Sequence, residues 1–456
     1  MSFFRNLWAP KAEFPEKSEM ALVREGMHCS NIEAIFATVH IALTQGIFLT
    51  NYVLDLGSSN IVCGIVESLP FLVQFAYLFS PMLVRRIGAR KPIVVAFSLL
   101  HRLSWGALIA LLFLDLTPFV KQSLMVAALL GANACAVISL NAWFSWMADL
   151  IPASIRGSYY GRRNAYLGLT SMITLLVGSS FLTVCRDAEW GRMGYTICFS
   201  TAICSAAFGA WMLWKQYEPP TALLPKISYK DISRILAETK LLKEFVTFFS
   251  IWQFAMGMTA AFGGVYMVRV LEMSPWLMGL FMIIASITAQ VGSRLWGRAR
   301  DRVGDRAVLL ASGTILTFNV LVWLTTRSDF MVPVWIIAVT AGIGWSGFNL
   351  ASFTLPQSLC GQEKLQHAIG LLGFFSGPAF VCGSLLGGVL TTYLPEVLFT
   401  VGAFKFRHFY INFILTSVGR VISLLLVSSM LKEATGSRHG LFFSLTSSIR
   451  AMFRSD

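Results

Sequence analysis

Four ionisable residues stand inside long apolar stretches of this sequence, where they could bind a charged or protonatable ligand. They are His40, Glu67, Arg102 and Arg420. A carboxyl group in apolar surroundings can bind and release a proton near neutral pH, and a guanidinium binds carboxylate or phosphate through two parallel hydrogen bonds. Charges inside a membrane are costly, so such residues commonly serve function or are paired. Their types therefore predict proton and anion chemistry.

The balance of these charges predicts the sign of a ligand. Arg102 and Arg420 lie near mid-depth of their stretches, whereas only Glu67 supplies a carboxylate at comparable depth. An uncompensated buried cation is unfavourable, and an anionic or zwitterionic substrate would supply the missing charge. Glu33 is assigned to the first turn of a helix, where capping and the helix dipole account for it.

Structural explanations of the same residues stay open. His40 could be a hydrogen-bonded interior histidine, and Glu67 could be a structural partner of Arg102. The uncharged residues Gln74, Gln253 and Asn349 lie in similar stretches and could contact a substrate or bridge two helices.

The elements that must position these residues are membrane-spanning helices. Hydrophobic residues form 56% of the 456 residues and charged residues only 13%, and a membrane helix needs roughly 20 mostly apolar residues. No run alternates with period two over its length, which favours helices over a β-barrel. Twelve runs are predicted: 32–52, 61–84, 92–114, 123–148, 164–184, 194–214, 245–268, 276–292, 307–325, 331–355, 369–392 and 409–431.

Lysine and arginine are distributed very unevenly between alternate loops. The loops on the side of both termini hold 27 of them and the opposite loops hold 6. This asymmetry is the positive-inside pattern and predicts that both termini are cytoplasmic. The net charge of +13 thus reflects topology rather than nucleic-acid binding. We expect no cleavable signal sequence, and the absence of any Asn-x-Ser/Thr site favours a bacterial inner membrane.

The polar segments divide the chain into five predicted regions. We expect a cytoplasmic N-terminal tail over 1–31, a six-helix bundle over 32–214, a cytoplasmic linker with a surface helix over 215–244, a second six-helix bundle over 245–431, and an amphipathic cytoplasmic tail over 432–456.

A weak internal repeat supports the two-bundle division. At an offset of 216, Gln74–Arg90 aligns with Gln290–Arg306, and both copies follow the second run of their half. The second copy contains "GRARDRVGDR", which resembles the loop signature of the major facilitator superfamily. The first copy is poorer, because Arg85 stands where the signature has an aspartate. Duplicated halves with a substrate site at the midplane are typical of transporters.

This resemblance implies a fold and a gating role for the two loops. It implies an all-α polytopic membrane protein with 12 transmembrane helices in two pseudo-symmetric six-helix bundles. In such a fold, a tight turn needs Gly304, and Asp301 would accept hydrogen bonds that hold the inner gate shut. The implied gating residues are Arg86, Gly88 and Arg90 in the first loop, and Gly297, Asp301, Arg302, Gly304 and Arg306 in the second.

Another glycine-rich segment partly resembles a motif of superfamily antiporters. It reads "GLLGFFSGPAFVCGSLLGG" over 370–388. Because it stands in the wrong half of the chain, close packing of helices is the favoured interpretation.

Together these features predict a secondary active transporter rather than an enzyme. We expect it to move a small anionic or zwitterionic solute across the membrane by alternating access and in symport with protons. Glu67 or His40 would couple the transport to protons. We predict a monomer that binds a small molecule and membrane lipids, with no nucleic acid, cofactor or metal. The alternatives are a uniporter, a lipid or drug exporter, and a non-transporting receptor or assembly factor of the same fold.

Overall fold

The fold is a succession of long helices joined by short turns. A computed structural model describes residues 19–152, 155–220, 240–401 and 404–435. The α-helices are α1 (Glu19–Thr44), α2 (Ile47–Asp55), α3 (Asn60–Leu72), α4 (Phe79–Ile87), α5 (Lys91–Leu103), α6 (Trp105–Phe113), α7 (Pro118–Leu150), α8 (Arg156–Asp187), α9 (Gly191–Lys215), α10 (Lys240–Arg269), α11 (Pro275–Val322), α12 (Val332–Tyr393) and α13 (His408–Thr435). Short 3₁₀ helices follow α3 (Val73–Leu78) and α11 (Trp323–Thr325).

Every predicted apolar run is helical, which confirms the all-α polytopic class. Ten helical segments of the described chain are long and apolar enough to cross a membrane. One of them, Pro275–Thr325, contains two predicted runs, and the shorter helix Asn60–Leu72 accounts for the remaining run. The sequence did not predict the small antiparallel hairpin before α13, in which β1 (Val397–Val401) pairs with β2 (Phe404–Arg407).

The two loops of the repeat contain the same backbone turn. Gly88 has φ of 80° and Gly304 has φ of 82°. Residues with a side chain rarely adopt this region of φ, so glycine is strongly favoured at both positions. The predicted tight turn at Gly304 is therefore confirmed, and Gly88 repeats it 216 residues earlier. Gly304 forms the kink in α11 between the eighth and ninth apolar runs.

The first helix begins earlier than the sequence analysis predicted. Helix α1 starts at Glu19 rather than near residue 32, so Glu33 lies roughly four turns inside it. Assignment of Glu33 to a helix first turn was therefore wrong. The polar composition of residues 19–31 looked like a tail, but no proline or glycine pair interrupts the helix there.

The chain forms two compact units. Of the described residues, unit 1 contains 19–45, 75–152, 155–178 and 185–220, and unit 2 contains 46–74, 179–184, 240–401 and 404–435. Helices α2 and α3 thus belong to the unit formed mainly by α10 to α13. The predicted five-region division stays a prediction. The N-terminal residues 1–18, most of the linker with its surface helix, and the amphipathic tail lie outside the described residues.

Each unit has its own aromatic core. In unit 1, Trp146 and Met147 pack with Val94. In unit 2, Trp252 and Trp296 pack with Phe348. Bulky rings fit between helices where the facing residue is small, and Gly347 is the small residue that faces the Trp296 ring. The Trp296 indole N–H donates to the carbonyl of Ile343 at 2.8 Å.

Gly347→Ala is expected to destabilise the protein, because a methyl group there would lie 2.7 Å from the Trp296 ring. Overpacking of this kind costs about 1–3 kcal/mol. Thermal unfolding in detergent should show a lower Tm than for wild type. The matched control is Gly263→Ala, a helical position with open space within 4 Å, where Tm should be unchanged or higher. Equal Tm values for the two variants would contradict this packing.

Candidate functional site

The predicted binding residues divide between the two units. Unit 1 contains His40 and Arg102, and unit 2 contains Glu67, Gln74, Gln253, Asn349 and Arg420. The two repeat loops also lie in different units. Unit 1 contains Arg86, Gly88 and Arg90, and unit 2 contains residues 297–306.

Arg102 is neutralised by a carboxylate in the core of unit 1. Its guanidinium lies 2.7 Å from the Glu33 carboxylate and donates to the carbonyl of Ala206 at 2.9 Å. Both charged side chains are buried, with 8% and 7% of their surfaces exposed. This ion pair joins α1, α5 and α9. The prediction that Arg102 is an uncompensated cation was therefore wrong, because Glu33 was assigned elsewhere.

His40 lies in the same core beside a second histidine. The His40 ring is 1% exposed, and its Nδ1 is 3.2 Å from the carbonyl of Ala202. The His101 ring meets it edge-on at 5.4 Å, and the ring of Trp105 is 6.1 Å away. His40 Nε2 is buried without a hydrogen bond. This arrangement matches the interior-histidine interpretation and encloses the imidazole.

Arg420 is a buried cation in an aromatic setting. Only 3% of the residue is exposed, and its guanidinium carbon lies 4.9 Å from the centre of the Trp252 ring and 5.7 Å from that of Trp345. One terminal nitrogen donates to the carbonyl of Leu316 at 2.8 Å, while Nε is buried without a partner. In the described part of the chain, no carboxylate pairs with Arg420.

The two deep arginines therefore differ in what compensates their charge. Aromatic faces attract a cation by about 0.5–2 kcal/mol, which is less than a paired carboxylate supplies. The sequence analysis treated both arginines as candidates for binding an anion. The contacts favour Arg420, because Arg102 has Glu33 and Arg420 has only rings and a carbonyl.

Glu67 faces a cavity within unit 2. The cavity is small and open to its surroundings, and it is lined also by Thr50, Cys63, Ala261 and Val265. The Glu67 side chain is exposed and makes no hydrogen bond or ion pair with the described residues. The carboxylate that pairs with Arg102 in the described chain is that of Glu33. Glu67 is thus a carboxyl in a mostly apolar cavity.

The predicted uncharged residues have separate positions. The Gln74 side chain lies against Gly373 and Gly377 of α12. Gln253 is buried next to Trp252, and Asn349 is exposed one turn after Trp345 on α12. Asn349 therefore shares a helix face with an aromatic neighbour of Arg420, whereas Gln74 does not.

The second repeat loop uses a different aspartate from the one predicted. Asp305 accepts from Arg300 at 2.6 Å and from the Thr354 hydroxyl at 2.6 Å. Asp301 is exposed and makes no such contact among the described residues, so its predicted acceptor role is not seen in this conformation. The kink at Gly304 comes between the two aspartates.

Other residues of the second loop differ in exposure. Arg306 donates to the carbonyl of Ser428 in α13 at 2.9 Å. Arg302 is exposed, and Gly297 has open space where a side chain would begin. The loop is therefore joined to other helices of unit 2 through Asp305 and Arg306.

The first loop is anchored in unit 1 by Arg90. Its guanidinium forms an ion pair with Asp149 at 2.5 Å and another with Glu218 at 3.5 Å. The backbone N–H of Arg90 also donates to Glu218 at 2.6 Å. Arg90 is only 1% exposed, whereas Arg86 is exposed. The sequence analysis did not identify these acidic partners, although Asp149 directly follows the fourth apolar run.

The fold and these loops agree with the comparison to known protein families. The family model of the Major Facilitator Superfamily matches residues 34–384. Because this match covers most of the chain, the protein belongs to the Major Facilitator Superfamily of transporters. The search against curated protein sequences returned no match.

Several solved transporter structures are similar to this chain. A point mutant of the nucleoside transporter NupG is 12% identical, covers 89% of this chain and 100% of its own, and has a TM-score of 0.69. A D-xylose–proton symporter is 15% identical, with 91% and 99% coverage and a TM-score of 0.66. A bacterial homologue of the iron transporter ferroportin is 11% identical, with 91% and 99% coverage and a TM-score of 0.66. At these identities the likeness shows the fold alone.

Glu33→Gln is expected to destabilise unit 1, because it leaves the Arg102 cation buried without a counter-charge. Breaking a buried ion pair on one side costs about 3–5 kcal/mol, and Tm in detergent should fall accordingly. The double variant Glu33→Met with Arg102→Met should recover most of this loss, since neither charge remains. Glu189→Gln, at an exposed loop carboxylate, is the control. A double variant as unstable as the single one would contradict the pairing.

Proposed function

We propose that this protein is a proton-coupled secondary transporter that moves a small anionic or zwitterionic solute by alternating access. The proposed setting is a bacterial inner membrane with both termini in the cytoplasm, as the loop charges predict. The observation that carries the substrate proposal is Arg420, a buried guanidinium without a carboxylate partner in the described chain.

The electrostatics of unit 2 support an anionic ligand. Arg420 has a free Nε–H, and it is held between Trp252 and Trp345 so that its orientation is fixed. A fixed guanidinium in a low-dielectric site binds carboxylate or phosphate more strongly than one in water. Trp345 is only half-buried and Asn349 is exposed one turn away, so this helix face offers a stacking surface and an amide beside the charge.

Proton coupling is assigned to Glu67 in preference to His40. Glu67 lines an open cavity and has no cationic partner among the described residues. Protonation of a carboxyl in such surroundings removes a charge that is costly to bury. His40 is enclosed beside His101 and close to the Arg102 cation, so a second positive charge there would be repelled. The similar D-xylose–proton symporter supports coupling of this kind in the fold.

The substrate class is tested first by ligand-induced stabilisation. Purified protein is screened by thermal shift against monocarboxylates, amino acids, phosphorylated sugars and neutral sugars of matched size. A ligand that binds only the native state raises Tm by mass action. We expect rises with acids or zwitterions and none with the neutral sugars. Stabilisation by neutral or hydrophobic compounds alone would contradict the proposal and favour the exporter alternative.

Arg420→Met then separates substrate binding from a structural role. Replacing Arg420 by an apolar side chain of similar length removes a buried charge and leaves no buried carboxylate without a partner, so we expect Tm without ligand to be unchanged or higher. Ligand-induced stabilisation and counterflow in proteoliposomes should fall by about tenfold or more, because a charged hydrogen bond contributes about 1.5–3 kcal/mol. Arg327→Met, at an exposed loop arginine, is the control. Retained transport with a lowered Tm would show that Arg420 is structural.

Glu67→Gln tests the coupling site, because it keeps the shape of the side chain and removes its titration. An imposed pH gradient should no longer drive accumulation in proteoliposomes, while exchange of substrate across the membrane continues. Glu272→Gln, at an exposed carboxylate between α10 and α11, should behave as wild type. Unchanged gradient-driven accumulation in Glu67→Gln would remove Glu67 from the mechanism, and a uniporter would show no gradient dependence even in the wild type.

A further inference from the structure

Arg269, at the end of α10, joins three segments of unit 2 at one end of the helices. Its guanidinium donates to the Asn60 amide oxygen at 2.8 Å and to the Ser58 carbonyl at 2.9 Å. The Asn60 amide nitrogen donates in turn to the carbonyl of Thr391 at 2.9 Å. These bonds connect the ends of α10 and α12 with the start of α3.

Below this network, α3 and the second part of α12 pack almost backbone to backbone. The Ser384 hydroxyl donates to the carbonyl of Gly64 at 2.8 Å. A methyl group at Gly388 would lie 3.0 Å from the Ile61 Cα atom, and one at Gly64 would lie 2.8 Å from the Ser384 carbonyl. The glycine-rich segment 370–388 is therefore explained by close packing, as the sequence analysis favoured, and its partners are α3 and, at Gly383 and Gly387, α10.

The same packing continues along α3 away from the network. The rings of Phe71 and Phe380 stack at 3.7 Å, and the Gln74 side chain lies against Gly373. In this conformation, α3 and α12 thus form one continuous seam that begins at Asn60.

The chemistry of the Arg269 contacts suits an interaction that must break repeatedly. Both of its acceptors are neutral, so separation leaves no buried carboxylate without a partner. Arg269 itself is exposed, whereas Asn60 and Ser58 are buried. On separation the guanidinium exchanges its hydrogen bonds for water, and the amide and carbonyl become accessible to water as the seam opens. A buried ion pair would resist such cycling much more strongly.

From this geometry we infer that Arg269, Asn60 and Ser58 form a latch that holds the α3–α12 seam closed at this end, and that opening it is a step of transport. The inference rests on the proposed alternating-access function, since a protein that never opened this end would need no releasable contact. It assigns a gating role to Arg269 that neither the loop signature nor the apolar pattern indicated.

The latch is tested by the reactivity of Cys63, a natural reporter one residue before Gly64. Cys63 is buried, with 7% exposed, and it lines the cavity beside α3. The other seven of the eight cysteines are replaced by serine, and the labelling rate of Cys63 by a hydrophilic maleimide is measured without substrate. Arg269→Ala should raise this rate about tenfold, the order expected for loss of hydrogen bonds from a charged group.

Two controls make the result specific to the latch. Arg327→Ala removes an exposed arginine whose ion pair is with the loop residue Asp329, and it should label at the wild-type rate. Arg269→Lys keeps the charge but cannot reach both acceptors with a planar fork, so its rate should lie between those of wild type and Arg269→Ala. The lysine variant also provides the measurement if the alanine variant does not purify as a monodisperse protein.

Independent variants add methyl groups where α3 and α12 are in contact, which should push the two helices apart. Gly64→Ala and Gly388→Ala should also raise the Cys63 labelling rate, whereas Gly131→Ala, where a methyl group meets open space, should not. A wild-type rate in Arg269→Ala and Arg269→Lys overturns the latch, whatever the glycine variants show. Because labelling needs no substrate, a failed transport test for Arg420 or Glu67 leaves this outcome readable and counts only against the proposed function.

Discussion

The cost of burying a guanidinium in an apolar core constrains both units of this protein. Arg102 in unit 1 and Arg420 in unit 2 are two such groups, and in each the guanidinium donates to the carbonyl of a neighbouring helix. In unit 1, Glu33 completes the neutralisation of Arg102. In unit 2, Arg420 has only two tryptophan rings. A buried cation that lacks its own counter-charge is a place where a ligand can supply it, and the proposed substrate chemistry follows from this difference.

The internal repeat makes the difference informative. Arg102 connects the helices of the first, third and sixth apolar runs, and Arg420 connects those of the corresponding runs in the second half. The matching positive-φ glycines, Gly88 and Gly304, show that backbone geometry is repeated as well. The charge partners are not repeated. Arg102 belongs to the third run of its half and Arg420 to the last run of its own, so the two arginines are not repeat equivalents, although each joins the same set of runs. Among the described residues, the neutralising carboxylate occurs in only one half.

Much of the fold was predictable from the sequence, but the pairing of its charges was not. The length of the apolar runs and their lack of a two-residue period predicted the helices, and the loop signature predicted the turn at Gly304. The Arg102–Glu33 contact joins residues 69 positions apart, and its existence depends on how α1 and α5 rotate against each other. Glu33 was also misassigned because polar residues 19–31 form helix rather than tail. The contact between Arg269 and Asn60 was not predictable either, because the two residues are 209 positions apart in the sequence.

The most direct test of the central claim is an experimentally determined structure with the most strongly stabilising acidic ligand bound. The account predicts that a ligand oxygen lies within hydrogen-bond distance of the Arg420 guanidinium, roughly 2.7–2.9 Å for a charge-assisted bond, and that the Arg102–Glu33 pair is unchanged. A ligand bound elsewhere, with Arg420 still enclosed by Trp252 and Trp345 and its Nε without a partner, would contradict it.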